Sequence, residues 1–349
     1  MDITLKAEHD PMTTDTTAIR LHEETNSRRL RFRGKGEPLA LIGALIVLIS
    51  IFSILNPRFA TLVNLQNILS QASLPLIIGV GATFVILIGS IDLSVEGVMG
   101  AAGVVFVLLS ANSRGGHDLG IWAWVAAIAI GIALGAANGL ILTRIKLPSF
   151  IVTFGMWFIG LGIATILYGT DALPSLTNDA LTTWVSHIAF LFPNVVWLAA
   201  ALLIVATLVL RFTIFGRATL AIGNNEEIAR SNGMPVNKYK VVIFIIAGGM
   251  SALAGILAAM QLGAVSNNVG SGYLFITIPA VVIGGTALSG GKGGMLQTAL
   301  GVLLLTVLNN GLVLAGVSPD YQSALSGAIL VAAIVAAAWS QRGRLRIAK

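Results

Sequence analysis

Ten apolar runs divide this sequence, most of them close to the ~17–25 residues a helix needs to cross a hydrocarbon core. They are approximately Leu39–Leu55, Ile68–Ile88, Leu93–Ser110, Gly120–Leu142, Phe150–Tyr168, Val195–Leu210, Val241–Gln261, Tyr273–Leu288, Met295–Ala315 and Gln322–Trp339. In lipid every backbone polar group must be paired inside its own helix or within a closed barrel. Barrel strands alternate apolar and polar residues, and these runs do not. The fold class that follows is an all-α polytopic membrane protein of about ten transmembrane helices, some short or broken by glycine. Composition agrees: 10% of residues are charged, against about 25% in a soluble domain.

The charges fix the orientation. With the amino terminus inside, ten spans leave both termini and the even-numbered loops in the cytosol. That side then holds the tail residues Lys6, Arg20, Arg28, Arg29, Arg31, Arg33 and Lys35, the pair Arg144 and Lys146, and the loop set Arg211, Arg217, Arg230, Lys238 and Lys240. Lys292 and the terminal Arg342, Arg344, Arg346 and Lys349 bring it to 19 of the 21 basic residues, leaving Arg58 and Arg114 outside. This is the positive-inside pattern, and a miscounted helix would scatter it. Topology also accounts for the pI of about 9.9, so no nucleic-acid partner is inferred. Asn56-Pro57-Arg58 offers no small-residue cleavage site, so the first run is an uncleaved span. The organisation is a polar and basic cytosolic tail over 1–37, disordered by composition, a membrane domain over 38–340 with a cytosolic loop over 212–240, and a basic cytosolic tail over 341–349.

The sequence has no cysteine, and His9, His22, His117 and His187 lie scattered without metal-ligand spacing. No catalytic residue, metal site or cofactor is expected, and the chain is not an enzyme. Glycines at 131, 135 and 139 share one helix face and mark close helix packing. Two other segments read as helix breaks. One carries Gly89, Asp92 and Glu96; the other carries Gly284, Gly285 and Lys292. Both contain Ile-Gly-x-x-x-Leu-Ser, beginning at Ile88 and Ile283, a hint of two parallel repeated halves. Intramembrane carboxylates are costly and often functional, but this topology places Asp92 at a cytosolic helix end, where it can reach water or cap the next helix. The in-span amides Gln71, Asn138, Asn309 and Asn310 are candidates for a polar path, with helix–helix hydrogen bonding the alternative. The outer loop Thr170–Asn194 holds an apolar stretch, Leu181–Phe192, suited to a short helix lying on the outer surface.

In the cytosolic loop, residues 224–235 read as a two-turn helix. Asn225 caps it, Glu226 and Glu227 sit at its positive end, Arg230 lies near its negative end, and Gly233 with Pro235 stops it. Such a helix held outside the bilayer suits docking into a soluble partner. Leu288-Ser-Gly-Gly-Lys292 is no nucleotide site, because Thr286 stands where a P-loop needs glycine and Gly293 where it needs Ser or Thr.

Three segments, Gly81-Ala-Thr-Phe-Val-Ile-Leu-Ile-Gly-Ser-Ile-Asp-Leu-Ser94, Phe215-Gly-Arg through Gly233, and Ala280-Val-Val-Ile-Gly-Gly-Thr-Ala-Leu-Ser-Gly-Gly-Lys-Gly293, resemble the ribose/xylose-type permeases of bacterial ABC sugar importers. Leu308-Asn-Asn-Gly-Leu312 and Ser318-Pro-Asp-Tyr-Gln322 extend the resemblance, which covers about 38–340. It departs at Ser90, where the family commonly has a second glycine. The resemblance implies a permease subunit of the bacterial inner membrane that forms a sugar path with a second permease copy or paralogue. It further implies ATPase subunits that bind ATP and Mg, a periplasmic sugar-binding protein, and a coupling role for the 226–233 helix. The alternative is an ion-coupled secondary transporter. It would be expected to carry a carboxylate deep in a span, and the topology places none there.

Overall fold

The structure is a computed structural model that describes residues 39–115 and 118–318, with 321, 324, 327 and 328. Nine of the ten expected runs form helices among these residues. Six are long and apolar enough to cross a membrane: α2 (Leu62–Leu87), α4 (Ile121–Ile145), α5 (Ser149–Tyr168), α7 (Asn194–Phe212), α10 (Val236–Leu262) and α12 (Met295–Leu314). Three are shorter: α1 (Leu39–Leu55), α3 (Val95–Leu109) and α11 (Tyr273–Ile283). The tenth run, Gln322–Trp339, lies almost wholly outside the described residues, as do both tails. The connections hold α6 (Asp179–Ser186), a two-stranded pair β1 (Ile188–Ala189) and β2 (Phe192–Pro193), α8 (Ile214–Asn224) and α9 (Glu226–Ser231). The outer-surface stretch expected as helix over Leu181–Phe192 is therefore a helix only to Ser186, and a tight hairpin follows.

α4 and α10 lie antiparallel along the predicted glycine face. A Cβ at Gly131 would overlap the Gly248 carbonyl, one at Gly135 the Phe244 carbonyl, and one at Gly139 would come within 2.7 Å of the Val241 Cα. Lipid supplies no hydrophobic drive between helices, so such close backbone approach has to supply the packing attraction. α3 is enclosed mainly by α4, α5 and α10, with α11 also touching it, and Val98, Met99, Phe106 and Ile256 are fully buried at the centre. Phe106 meets Trp124 edge-on at 5.1 Å.

The described basic residues sort by end. Arg144, Lys146, Arg211, Arg217, Arg230, Lys238, Lys240 and Lys292 lie at one end, and Arg58 and Arg114 at the other. Arg114 is fully used there: its guanidinium donates to the Tyr168, Asp171 and Ala172 carbonyls at 2.6, 3.1 and 2.7 Å. It thereby satisfies carbonyls that the end of α5 leaves unpaired.

Two segments enter the bundle as non-helical chain. After α2, residues 88–94 run beside the start of α5, where Ile91 N–H donates to Ser149 Oγ and Leu93 N–H to Thr153 Oγ1, both at 3.0 Å. α3 then begins beside the middle of α5, because Gly97 packs on the Trp157 backbone and Gly160 on Gly97. After α10, residues 264–272 descend antiparallel to α3, with Asn267 against Gly100 and Gly270 against Glu96, and α11 begins at that depth. A long helix, a re-entrant segment and a short helix thus occur twice, running in opposite directions. This inverted pair is distinct from the parallel repeat that the Ile88 and Ile283 motifs suggest, whose helices α2 and α11 run the same way. The start of the Ile88 motif and the end of the Ile283 motif do meet, with Gly89 facing the Ser289 carbonyl and Gly291 N–H donating to the Leu87 carbonyl at 2.8 Å. Beyond them the chain diverges, one segment turning back along α5 and the other turning through glycines straight into α12.

Candidate functional site: the coupling surface and the buried seam

The loop between α7 and α10 is folded. Thr213 Oγ1 caps α8 by accepting from Gly216 N–H at 3.2 Å, and Asn225 Oδ1 caps α9 by accepting from Ile228 N–H at 3.0 Å. The α9 cap is the one expected from sequence. Gly233 ends α9 in the left-handed region at φ +78°, with its N–H on the Arg230 carbonyl and Met234 N–H on the Ala229 carbonyl. Those two hydrogen bonds satisfy the last carbonyls, and glycine takes the conformation at no steric cost.

Glu226 is an internal tie. Its Oε1 accepts from Arg230 Nη2 at 3.0 Å and its Oε2 from Lys240 Nζ at 2.6 Å, while Arg230 also donates to Asn237 Oδ1 at 3.0 Å. Partial burial pushes the Glu226 carboxyl up, but the hydrogen bonds and charges of Lys240 and Arg230 outweigh it and hold the group below the usual range. Glu227 is exposed, and Ile228 beside it is 58% exposed although apolar. α9 is thus pinned on one side and presents Glu227 and Ile228 on the other.

α8 carries this surface to the bundle. The Phe215 ring lies 5.7 Å from Phe84 of α2 and 5.8 Å from Tyr239 of α10. Gly223 packs directly on the Leu87 carbonyl and the Gly291 amide, so a Cβ there would overlap both. Gly89, at φ +71°, faces the Ser289 carbonyl across this junction. The end of α2, the 284–294 turn and α8 form one tight backbone contact.

Asp92 and Glu96 are deeper than the sequence suggested. Both are buried, at 5% and 7% exposure, because residues 88–94 carry them inward along α5 instead of leaving them at a helix end in water. One Asp92 oxygen accepts from Ser94 N–H at 2.8 Å and Ser94 Oγ at 2.6 Å, and Asn138 Nδ2 of α4 donates to the same Ser94 Oγ at 3.0 Å. Glu96 Oε1 accepts from Gly272 N–H at 2.9 Å and Leu274 N–H at 3.2 Å. It stands in the first turn of α3 and also caps α11, so one carboxylate meets the positive ends of two short helices. The expectation that no carboxylate lies deep is corrected.

Comparison with known proteins bears on this arrangement. The family described as branched-chain amino acid transport system / permease component matches residues 64–334. The ribose import permease protein RbsC of Escherichia coli K12 is 38% identical over 296 residues, 84% of this chain and 91% of the relative. From the same organism, the L-arabinose transport system permease protein AraH is 33% identical over 306 residues, 86% of this chain and 92% of the relative, and the D-allose permease AlsC is 31% identical over 291 residues, 83% and 88%. The chain belongs to this permease family.

The permease does not bring its sequence-predicted path amides together. Gln71 is exposed on the outside of α2, while Asn138 is fully buried at the α3–α4 junction. Asn309 is half-buried, and Asn310 is buried with no hydrogen-bond partner for its Oδ1 among the described residues. Gly284 packs on the Gln297 backbone, and Gly285, at φ +105°, opens the turn. Lys292 is exposed, and its carbonyl accepts from Ala287 N–H at 2.9 Å. Sequence reasoning missed α8, whose apolar contacts are with two spans. A cleft of about 290 Å³ lies beside it, lined in part by Arg211, Arg217 and Gln297.

Proposed function

We propose that this permease is the membrane subunit of an ATP-driven importer for a small sugar, with α9 as the helix that docks on a separate ATPase. The observation that carries the coupling assignment is the α9–α8–α2 contact. A short capped helix presents Glu227 and Ile228 outward, and its neighbour α8 rests on the last carbonyl of α2. A push on α9 therefore reaches the break at Gly89 and the 284–294 turn with no flexible linker between. In this reading the basic end, with both termini, is cytosolic in a bacterial inner membrane, and ten spans are crossed. Two permease copies or paralogues form the path, and a periplasmic binding protein delivers the solute. ATP and Mg sit on the partner. The sugar class follows the relatives, whose names specify ribose, arabinose and allose. The buried carboxylates do not favour an ion-coupled transporter, because one oxygen of each already serves the fold, Asp92 Oδ1 on Ser94 and Glu96 Oε1 on the start of α11.

The geometry also divides the labour within α9. Ile228→Asp and Glu227→Ala should reduce ATPase capture and sugar-stimulated ATP hydrolysis at least tenfold, with the permease inserted at normal levels. Glu226→Ala should act more weakly, by loosening the tie to Lys240. Unchanged co-purification and stimulation in Ile228→Asp would remove α9 from the coupling role.

A further inference from the structure

Depth can be read off α5. Its 20 residues rise about 30 Å at 1.5 Å per residue, which matches a hydrocarbon core. Trp157 and Gly160 lie near its middle and pack on Gly97, and Gly270 packs on the neighbouring Glu96 and Met99. Residues 270–272 are therefore near mid-depth. Asn267 sits nearer the end of α5, where its Nδ2 donates to Thr165 Oγ1 at 3.1 Å.

The whole stretch 264–272 is non-helical. One side of it, Val265, Val269 and Gly270, is buried on α3, while Asn268 and Ser271 are exposed, Asn267 is half-buried and Thr165 is exposed. Phe275, one turn further along α11, is 68% exposed. Irregular chain with outward-facing polar groups does not face lipid at this depth; it is found where it is buried in protein or lines a water-filled cavity. Among the described residues nothing covers this face.

We propose that Thr165, Asn267, Asn268, Ser271 and Phe275 line the aqueous translocation path. The amides and hydroxyls hydrogen-bond the hydroxyl groups of a passing polyol, and the Phe275 ring supports its C–H face. A few placed polar groups on an apolar wall are the usual makeup of a small-molecule site. The wall lies on the flank of one chain, so a second copy closes it. The chemical class of the solute rests on the sugar-importer reading; the position of the path rests on depth and exposure alone.

Because the chain has no cysteine, Asn268→Cys and Ser271→Cys each give it a single thiol, and Thr165→Cys provides a third should one fail to fold. In nanodiscs, with and without the ATPase and trapped nucleotide, these thiols should react with a charged methanethiosulfonate at least tenfold faster than Val205→Cys. Val205 lies mid-helix on the outside of α7 at 56% exposure, and the reagent needs a hydrated thiolate. Fast labelling of any of the three in any state supports the assignment, and rates no faster than Val205→Cys in every state overturn it. Whole-cell uptake of labelled ribose, arabinose and allose by the unsubstituted protein is measured alongside. Reactive thiols without uptake of any of them leave the path and sink the sugar reading, whereas uptake with inert thiols does the reverse.

Discussion

Glu96 shows how a buried charge can serve structure. Its Oε1 takes the N–H groups of Gly272 and Leu274, which a helix beginning inside a bundle would otherwise leave unpaired. Removing the carboxylate strands both donors, and charge-assisted bonds of this kind are worth about 1.5–3 kcal/mol each. Glu96→Ala should therefore lower the thermal unfolding midpoint of the detergent-purified permease by several degrees. Glu96→Gln keeps an accepting oxygen and loses only the charge at the helix ends, about 1 kcal/mol, so it should fall between the two. Wild-type stability in Glu96→Ala would show that the carboxylate is not structural. Local signals did reveal Asn225 and Gly233, because capping is decided by a few neighbouring residues. They marked Glu96 as part of a helix break but could not reveal its partners, which lie 176 and 178 positions away, nor the depth of Asp92, since a re-entrant segment and a helix end look alike in sequence.

Element by element, the hydropathy runs located nine helices, and the glycines at 89 and 284 marked two breaks that hydropathy alone ran through. The run Leu93–Ser110 is helical only from Val95, and Tyr273–Leu288 only to Ile283, because apolar extended chain packed between helices scores like helix. α8 escapes a hydropathy reading because its 11 residues are too few to span and carry two glycines and Arg217, although Phe215 contacts Phe84 and Tyr239. The glycine stripe of α4 was legible because its fourfold spacing is a helical period, and it can be tested against glycines that touch nothing. A Cβ at Gly135 would overlap the Phe244 carbonyl, and backbone cannot move aside as a side-chain tip can. Gly135→Ala should cost about 1–3 kcal/mol. Gly162→Ala on α5, where a Cβ would meet nothing within 4 Å, should be neutral or slightly stabilising in the same thermal assay. Equal losses at both would mean that α4 and α10 are not held together by this stripe.

For the whole molecule, the sorting of basic residues depends on the final run. The described helices carry the chain from α1 to the end of α12, which lies with Arg58, since Asn56 Nδ2 donates to the Leu314 carbonyl at 2.7 Å. If Gln322–Trp339 crosses, the terminal Arg342, Arg344, Arg346 and Lys349 return to the end that holds Arg144, Lys146, Arg230 and Lys292. If it does not, four basic residues sit directly outside a span, against the positive-inside bias. Alkaline phosphatase folds only outside the cytosol, so fusions on either side of that run read its topology. A fusion after Ser318 should be active, and one at Thr170, beyond the end of α5, should be active as well. A fusion after Lys349 should be inactive, while a fluorescent protein at that point should mature. An active phosphatase after Lys349 would mean nine crossings. It would leave α9 cytosolic but put the carboxyl terminus outside, and the charge argument would then hold only as far as α12.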